Sequence, residues 1–385
     1  MFKIKRLELI NIIYIFIYSA LAIIVPLYLL ERQIDLSSIG LILSLGPLIF
    51  LFSRVILAAF ADSIGTKTVD LFYSISGLFS VVIYYFAASP LIFGLGNFTE
   101  GLRNAGFWAV IRTEAIEDET NNNQPLSSIF VYYSNLRQVG EGIGKIIAGL
   151  MLSIIGFAHS FELIFISSIA LLIMNLTGKN SKTLISQKNK KEISVTSRIL
   201  APRSNLFWFS SLLQMLVWLP YNATSYFILP LYLHSSLGFS YEQTGLYLAT
   251  YILGVGVVAS LLRFLKVDIR KLYLLSGLIF IGYILMPLFG LNIIVPILLI
   301  AIGNGCSNII AEYILSDQIL RSKDVSTDIG LTYVPLKIVE FIFYLSGGLL
   351  IAVFGYWFLF IICALSIALF LILARKTILE SMLNR

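Results

Sequence analysis

Long apolar segments recur along nearly the whole chain, and short polar turns separate them. An α-helix needs about 20 apolar residues to cross the hydrocarbon core of a bilayer, and these segments reach that length. Charged residues make up only 12% of the sequence, against about 25% in ordinary soluble domains. The sequence therefore predicts an all-α polytopic membrane protein embedded in a lipid bilayer. We expect twelve transmembrane helices, at residues 9–30, 38–61, 68–88, 90–112, 126–153, 159–177, 205–233, 241–265, 271–290, 293–316, 329–353 and 356–375.

One long polar segment divides the chain almost in half. Residues 179–204 form a basic cytoplasmic linker between two predicted six-helix bundles, which comprise residues 1–178 and 205–385. Most of the 27 lysines and arginines fall on the linker, near the two termini, or on loops on the same side of the membrane. Because cytoplasmic loops are enriched in these residues, we predict a cell (plasma) membrane protein whose termini are both cytoplasmic. Topology thus accounts for the net charge of +6, which does not indicate nucleic-acid binding.

The two halves resemble each other in sequence. Residues 26–29 read Pro-Leu-Tyr-Leu at the end of the first predicted span, and residues 230–233 read the same at the end of the seventh. Glycines and a glutamate also recur at similar offsets. The matched positions are Gly40 with Gly245, Gly149 with Gly348, Gly156 with Gly355, and Glu141 with Glu340. Parallel repeats of six helices are typical of transporters whose halves rock around a central site, so we predict two six-helix pseudo-repeats.

The topology, the central linker and the repeat resemble those of the major facilitator superfamily over nearly the whole chain. The family's loop between helices 2 and 3 reads Gly-x-x-x-Asp-Arg-x-Gly-Arg-Lys, and residues 58–67 read Ala-Ala-Phe-Ala-Asp-Ser-Ile-Gly-Thr-Lys. Asp62, Gly65 and Lys67 match that motif, whereas its first glycine and two of its basic residues are absent. The resemblance implies the major facilitator fold and a gating role for these three residues, with Arg112 as a candidate partner of Asp62. Alternatively, Asp62 is an ordinary turn residue.

Three charged residues lie near the middle of one predicted span. Arg137, Glu141 and Lys145 are spaced four residues apart, so they share one face of a helix. Each would cost about 2.5–3.5 kcal/mol at the centre of a bilayer unless it pairs or faces a wet cavity. One interpretation is a binding or coupling site, in which Glu141 takes up a proton when a substrate anion draws away a cation. The other is a salt-bridge cluster that only fastens helices together.

Further polar residues lie within four other spans. Glu100 with Arg103 and Lys337 with Glu340 are i, i+3 pairs whose charges can neutralise each other. In the family that the chain resembles, an arginine of helix 4 is often linked to proton coupling, and Arg103 is the matching candidate. The predicted substrate-binding or proton-coupling residues are Glu100, Arg103, Arg137, Glu141, Lys145, Asn222, Tyr226, Asn308, Lys337 and Glu340.

The sequence argues against several classes of function. It contains no Walker A motif, and no serine nucleophile is paired with either of the two histidines, so we predict neither ATP hydrolysis nor an enzyme. The chain has only two cysteines and two histidines, too few for a His/Cys metal cluster, so we expect neither a metal site nor a cofactor. The leading hypothesis is a secondary active transporter, expected to be a monomer, that moves a small polar or charged solute by alternating access with a proton or other coupling ion. The alternatives are a multidrug or amphiphile exporter of the same fold and a non-transporting scaffold subunit.

Overall fold

The computed structural model describes residues 6–119, 126–177, 195–319 and 325–383. Every regular element in this described part is helical. The α-helices are α1 (Arg6–Glu31), α2 (Leu36–Ile64), α3 (Thr66–Phe86), α4 (Pro90–Glu119), α5 (Leu126–Thr177), α6 (Val195–Leu200), α7 (Asn205–Ala223), α8 (Leu229–Leu231), α9 (Tyr241–Phe264), α10 (Ile269–Ser276), α11 (Leu278–Leu285), α12 (Ile294–Ile319), α13 (Val325–Thr332), α14 (Val334–Phe354) and α15 (Tyr356–Leu383). Two π-helical segments, Thr224–Ile228 and Tyr232–Ser236, flank α8, and 3₁₀ turns at Met286–Leu288 and Gly290–Asn292 follow α11.

Polar caps define the starts of α2 and α9, which occupy matching places in the two halves. The Asp35 carboxylate accepts hydrogen bonds from the hydroxyl of Ser38 at 2.6 Å and from its backbone N–H at 2.9 Å. These bonds hold the pKa of Asp35 below its usual range, so the cap is an anion at the positive end of the helix. Ser240 and Gln243 cap α9 reciprocally. Both caps end a short loop sharply and let the next helix reverse direction.

Two glycines interrupt the helices at equivalent places. The 52-residue α5 is kinked at Gly156, whose φ of 72° and ψ of −176° are not helical. Gly355, with φ 78° and ψ 174°, separates α14 from α15. A positive φ is strained for residues that carry a Cβ, so glycine is favoured at both positions. Each break falls between two of the predicted spans.

Paired glycines allow helices from the two halves to come close together. Gly40 of α2 packs against Gly348 of α14, where a Cβ added to Gly40 would lie 3.0 Å from the backbone nitrogen of Gly348. Gly149 of α5 packs against Gly245 of α9, where a Cβ added to Gly149 would lie 3.0 Å from the Cα of Gly245. In the sequence repeat, Gly40 matches Gly245 and Gly149 matches Gly348. Each contact therefore joins one glycine from each of these matched pairs.

Nine helical segments within the described ranges are long and apolar enough to cross a membrane. Twelve spans were predicted, and three elements account for the difference. The helix α5 counts once although it contains two predicted spans, α4 carries several charged side chains, and the 19 residues of α7 include polar side chains such as Gln214 and Asn222. Large apolar side chains such as Phe79, Leu91 and Ile154 are exposed on the outside, as expected where lipid surrounds the helices. The described helices suit an integral membrane protein, and the number twelve stays a prediction.

Most of the predicted basic linker lies outside the described residues. Of residues 179–204, the structure describes α6 and residues 201–204, which follow it. Arg203 forms an ion pair of 2.7 Å with Asp328 of α13. Arg6, where α1 begins, donates a hydrogen bond of 2.6 Å to the carbonyl of Met174, near the end of α5. We call this end of the bundle the linker end. The opposite end, where α1 turns into α2, is called the far end.

Candidate functional site

A central cavity of about 160 Å³ is lined by residues from both halves of the chain. Its charged lining residues are Arg54, Glu100, Arg112, Arg137, Lys337 and Glu340. Its larger polar and aromatic lining residues include Tyr18, Trp108, Trp218, Asn222, Tyr226 and Tyr333. Six of the ten predicted substrate-binding or coupling residues therefore line one cavity. Ligand sites that combine aromatic walls with a few oriented polar groups have this composition.

The predicted pair on α4 is formed at the cavity wall. Glu100 lines the cavity and accepts hydrogen bonds from the guanidinium of Arg103 and, at 3.2 Å, from the side-chain amide of Asn104. Arg103 lies behind the wall, with its guanidinium carbon 4.9 Å from the ring centre of Tyr14. A Cβ added to Gly77 would lie 2.6 Å from the Cδ of Arg103, so α3 and α4 enclose this side chain closely. Arg103 therefore neutralises and orients Glu100 and does not line the cavity itself.

The predicted pair on α14 faces the cavity directly. Lys337 Nζ lies 2.5 Å from Glu340 Oε2, and the amide of Asn222 donates to Glu340 Oε1, also at 2.5 Å. Lys337 Nζ lies 4.6 Å from the ring centre of Phe50 in α2. All four residues line the cavity, so this pair also contacts the first half of the chain.

Arg137, the first of the three charged residues on α5, lines the cavity. Its guanidinium carbon lies 5.4 Å from the ring centre of Trp108 and 4.9 Å from that of Trp218. Its Nε and Nη2 atoms are buried and have no hydrogen-bond acceptor among the described residues. Because cation–π contacts with two tryptophans fix the guanidinium, these donors are held in a defined orientation.

Glu141 and Lys145 lie behind the cavity wall, against the segment that follows α7. Glu141 is 0% exposed and accepts a 2.8 Å hydrogen bond from the hydroxyl of Tyr226, which does line the cavity. Lys145 is also 0% exposed and donates to the backbone carbonyl of Ser225 at 3.1 Å. Among the described residues, Arg137, Glu141 and Lys145 form no ion pairs with one another, and Glu141 and Lys145 instead bind groups from the second half of the chain.

Pro230 explains why the carbonyl of Ser225 can accept a bond from Lys145. In the π-helical segment, the N–H of Leu229 bonds to the carbonyl of Thr224, five residues earlier. The same pattern would pair the Ser225 carbonyl with residue 230, but proline has no N–H. Lys145 supplies the missing donor, so a charged residue of the first half satisfies a helix interruption in the second.

Asn222 and Tyr226, about one helical turn apart, each bind a glutamate from a different half. Asn222 donates to Glu340 and Tyr226 donates to Glu141. These two glutamates are matched positions of the sequence repeat. The Asn-x-x-x-Tyr spacing of the seventh predicted span therefore connects the two repeat-related carboxylates to the cavity.

An ion pair between the halves lies at the linker end of the cavity. The guanidinium of Arg112 binds both carboxylate oxygens of Glu312 in α12, at 2.6 and 2.7 Å, and donates to the Tyr333 hydroxyl at 3.2 Å. Glu312 is only 2% exposed. Two parallel charge-assisted hydrogen bonds in a largely buried setting make a strong and directional contact.

The predicted gating motif contacts the second half through a partner that the sequence did not indicate. Asp62 accepts hydrogen bonds from the backbone N–H of Thr327, at 3.0 Å, and from its hydroxyl, at 2.7 Å. Arg112 is engaged as described above, so the hypothesised Asp62–Arg112 pair is not formed. Gly65 ends α2 with a φ of 99°, and Lys67 lies in the first turn of α3. Asp62 therefore caps the first turn of α13, where backbone N–H groups lack helical acceptors.

The structure also removes one predicted residue from the cavity and adds others. Asn308 lies on α12 outside the cavity lining, and neither polar atom of its buried amide has a partner among the described residues. The sequence assigned no role to Arg54 or Glu312. Arg54 lines the cavity, and Glu312 forms an ion pair with the lining residue Arg112. Both are single charges within apolar segments, whereas Arg103 and Arg137 were recognised because they are spaced three or four residues from other charges.

The buried carboxylates in and around the cavity are held by polar or charged partners and not by a metal cluster in the described part of the chain. In the part of the chain that the structure describes, no group of three or more potential metal ligands comes together. The carboxylates at Glu100, Glu141, Glu312 and Glu340 are instead each held by a hydroxyl, an amide or a cation. Such groups can exchange these partners for those of a solute, and they can accept protons.

The sequence profile of the Major Facilitator Superfamily matches residues 7–323 of the chain. Among solved structures, the fold is similar to that of a mutant of the nucleoside transporter NupG, with 14% sequence identity, a TM-score of 0.71, and coverage of 95% of this chain and 97% of that chain. It is also similar to a D-xylose-proton symporter, with 11% identity, a TM-score of 0.73, and coverage of 95% and 96%. Comparison with curated protein sequences gives no match. The chain belongs to the Major Facilitator Superfamily, and it is a membrane transporter rather than an enzyme.

Proposed function

We propose that this protein is a secondary active transporter that moves a small polar or charged solute by alternating access, coupled to protons. The observation that carries the proposal is the central cavity, whose charged side chains come from both halves of the chain. A solute held between two halves becomes accessible to each side of the membrane in turn as the halves rock. Glu100 and Arg137 from the first half, with Lys337 and Glu340 from the second, are placed to contact it.

The proposal includes twelve transmembrane helices in two six-helix bundles, at residues 1–178 and 205–385. The close glycine contacts between α2 and α14 and between α5 and α9, which we call the α2–α14 and α5–α9 seams, support it. The sequence repeat matches the glycines of one seam with those of the other, so the two seams are equivalent. The helix breaks at Gly156 and Gly355 support it as well, since both residues have the same left-handed backbone. When α5 is counted as two spans because of its break at Gly156, each half of the chain contains six of the predicted spans.

We further propose that the linker end is cytoplasmic, in the plasma membrane, and that the protein works as a monomer. The concentration of lysine and arginine on that side supports the orientation. Single cysteines at Ser186→Cys and Asn292→Cys, in a background where Cys306 and Cys363 are replaced by alanine, test it. A membrane-impermeant maleimide applied to intact cells should label only the position after α11. Labelling of both positions from the same side would contradict the topology.

Glu141 is our candidate proton carrier. Its carboxylate is buried, and its hydrogen-bond donor Tyr226 lines the cavity. A solute that binds the Tyr226 hydroxyl would therefore leave the carboxylate without that donor, and a proton could take its place. Solute occupancy and proton occupancy would be linked through one tyrosine.

An amphiphile exporter is the second candidate, because aromatic rings make up much of the cavity lining. Tyr18, Trp108, Trp218 and Tyr226 offer surfaces on which a large apolar molecule could stack. The ion pairs on α4 and α14 favour a polar solute. An apolar molecule would exclude water from these charged groups without offering them hydrogen bonds in its place. The two candidates differ in the solutes that move.

Flux through the purified protein in liposomes tests the proposal. Radiolabelled sugars, nucleosides, amino acids, carboxylates and phosphates are supplied with and without a pH gradient, beside the lipophilic cation tetraphenylphosphonium. We expect at least one polar solute to accumulate against its own gradient only when a proton gradient is present. Selective movement of tetraphenylphosphonium would favour the exporter, and movement of no solute in the panel would favour a scaffold.

A further inference from the structure

The charged groups in and around the cavity do not balance. The lining residues, together with the ionisable residues that contact them directly, comprise six cations and four carboxylates within the described part of the chain. The cations are Arg54, Arg103, Arg112, Arg137, Lys145 and Lys337, and the carboxylates are Glu100, Glu141, Glu312 and Glu340. At their ordinary charges, two positive charges remain. In a region of low dielectric, such an excess attracts anions.

Arg54 accounts for one of the two charges. It lies on α2, is 3% exposed, and lines the cavity. Its guanidinium carbon lies 5.2 Å from the ring centre of Phe50 and 4.6 Å from that of Tyr333, and its Nε has no acceptor among the described residues. Other cavity cations, such as Arg112 and Lys337, are within ion-pair distance of a glutamate, whereas Arg54 has aromatic neighbours. A buried guanidinium that contacts aromatic rings and forms no ion pair among the described residues is costly to bury unless an anion joins it.

Arg137 provides the second cationic position. The carboxylate nearest along its helix, Glu141, is bound by Tyr226, while Arg137 lies between Trp108 and Trp218 with unsatisfied donors. A guanidinium in this state presents a planar fork that matches a carboxylate or phosphate. The rings around Arg137 and those around Arg54 have no member in common, so the two arginines form separate subsites.

We propose that the transported solute is a small organic dianion, with one carboxylate bound at Arg54 and the other at Arg137. This inference rests on the proposed function, because it names the class of solute for the same cavity. A dicarboxylate neutralises both excess charges and gives each guanidinium a partner of matching geometry. A phosphate monoester has the same total charge but concentrates it on one group, so it can satisfy only one subsite fully.

The closing experiment varies the charge of the solute while keeping its size. Succinate, its half-amide succinamate and its diamide succinamide carry two, one and no negative charges and have nearly the same shape. Binding to the purified full-length protein is measured by calorimetry, and counterflow of radiolabelled succinate is measured in liposomes. Other dicarboxylates with two to six carbons, and glycerol 3-phosphate beside glycerol, extend the series. We expect the dianions to bind most tightly and the neutral members most weakly.

Variants of the two arginines then assign the subsites. Arg54→Gln and Arg137→Gln should each raise the KM for the dicarboxylate at least tenfold and remove the preference for succinate over succinamate. Arg54→Lys and Arg137→Lys should retain part of the preference for succinate over succinamate, because lysine keeps the positive charge but lacks the planar pair of N–H donors. Arg263→Gln, at the end of α9 and outside the cavity, is the matched control and should change neither value. Melting temperatures identify any variant that simply fails to fold.

The outcomes separate this inference from the proposed function. If a neutral solute moves as well as its charged counterpart, or if both arginine variants keep the wild-type KM for dicarboxylates, the dianion is wrong while secondary transport stands. If none of the dicarboxylates binds or moves but another solute of the wider panel does, the conclusion is the same. If no solute of any class moves, the proposed function itself fails.

Discussion

At the scale of single residues, charges buried in this protein are held by neutral groups as well as by opposite charges. A tyrosine hydroxyl binds Glu141, a backbone carbonyl binds Lys145, and aromatic rings surround Arg54. A neutral partner can be exchanged for a solute or a proton without leaving a second charge buried and unpaired. Residues held in this way are therefore better suited to change state during transport than those in tight ion pairs.

Replacing Glu141 with glutamine should separate proton coupling from solute movement. Glutamine has nearly the same size and can still accept the Tyr226 hydrogen bond, but it cannot carry a proton. We expect Glu141→Gln to abolish accumulation driven by a pH gradient and to retain counterflow exchange of the same solute. Glu162→Gln, an exposed position on the same helix, is the control and should remain coupled. A Glu141→Gln protein that stays coupled, or that only melts earlier, would make Glu141 structural.

The predicted gating motif gives a second residue-scale prediction. Asp62 binds the first turn of α13 through its carboxylate, so it holds the ends of two helices from different halves together. Asp62→Asn keeps the size but removes the charge that favours this helix end. We expect this variant to lower the transport rate at saturating solute more than it weakens solute binding, measured as KM. Asp268→Asn, which alters the N-cap of α10 within one half, is the control and should change neither the transport rate nor the KM. If the rate in Asp62→Asn is unchanged, Asp62 is only a turn residue.

At the scale of helices, the α2–α14 and α5–α9 seams depend on close backbone contact. A Cβ added at Gly348 would overlap the backbone carbonyl of Leu36, which cannot move without displacing α2. We expect Gly348→Ala to lower the stability by about 1–3 kcal/mol, as overpacked sites commonly do, and to reduce the transport rate. Gly94→Ala is the control, because its added Cβ meets only the flexible Cδ1 of Leu45, at 3.2 Å. Equal melting temperatures and rates for the two variants would show that the seam tolerates separation.

Helix positions could be predicted from the sequence because hydrophobic length is a local property. The span predicted at residues 38–61 is α2, and the breaks near Gly156 and Gly355 fall where glycine follows an apolar segment. The partners across the halves could not be predicted, because they depend on how distant helices pack. The sequence around Asp62 does not specify Thr327, and the four-residue spacing of α5 suggested a cluster whose charges in fact bind other elements.

At the scale of the whole molecule, the two halves meet through different chemistry at different places. The glycine seams bring backbones together, whereas side chains with charges connect the halves at the linker end. Charged groups that separate can be solvated by water, but close backbone seams gain nothing comparable on opening. We therefore expect the linker end to open by breaking a few specific bonds, of which the Arg112–Glu312 pair is the most buried ion pair between the halves among the described residues.

Removing one partner of that pair should shift the protein towards a state open at the linker end. Arg112→Gln or Glu312→Gln leaves the other charge buried without its partner, which commonly costs about 3–5 kcal/mol in the closed state. The double variant should cost less than the two single changes together, because no unpaired charge remains. A cysteine at Leu336, an apolar position in the cavity lining, reports the opening through its rate of maleimide labelling from the linker side. We expect faster labelling in each single variant and an intermediate rate in the double variant, with Arg263→Gln unchanged. If stability falls while the labelling rate stays constant, the pair only fastens α4 to α12, and the linker end must open elsewhere.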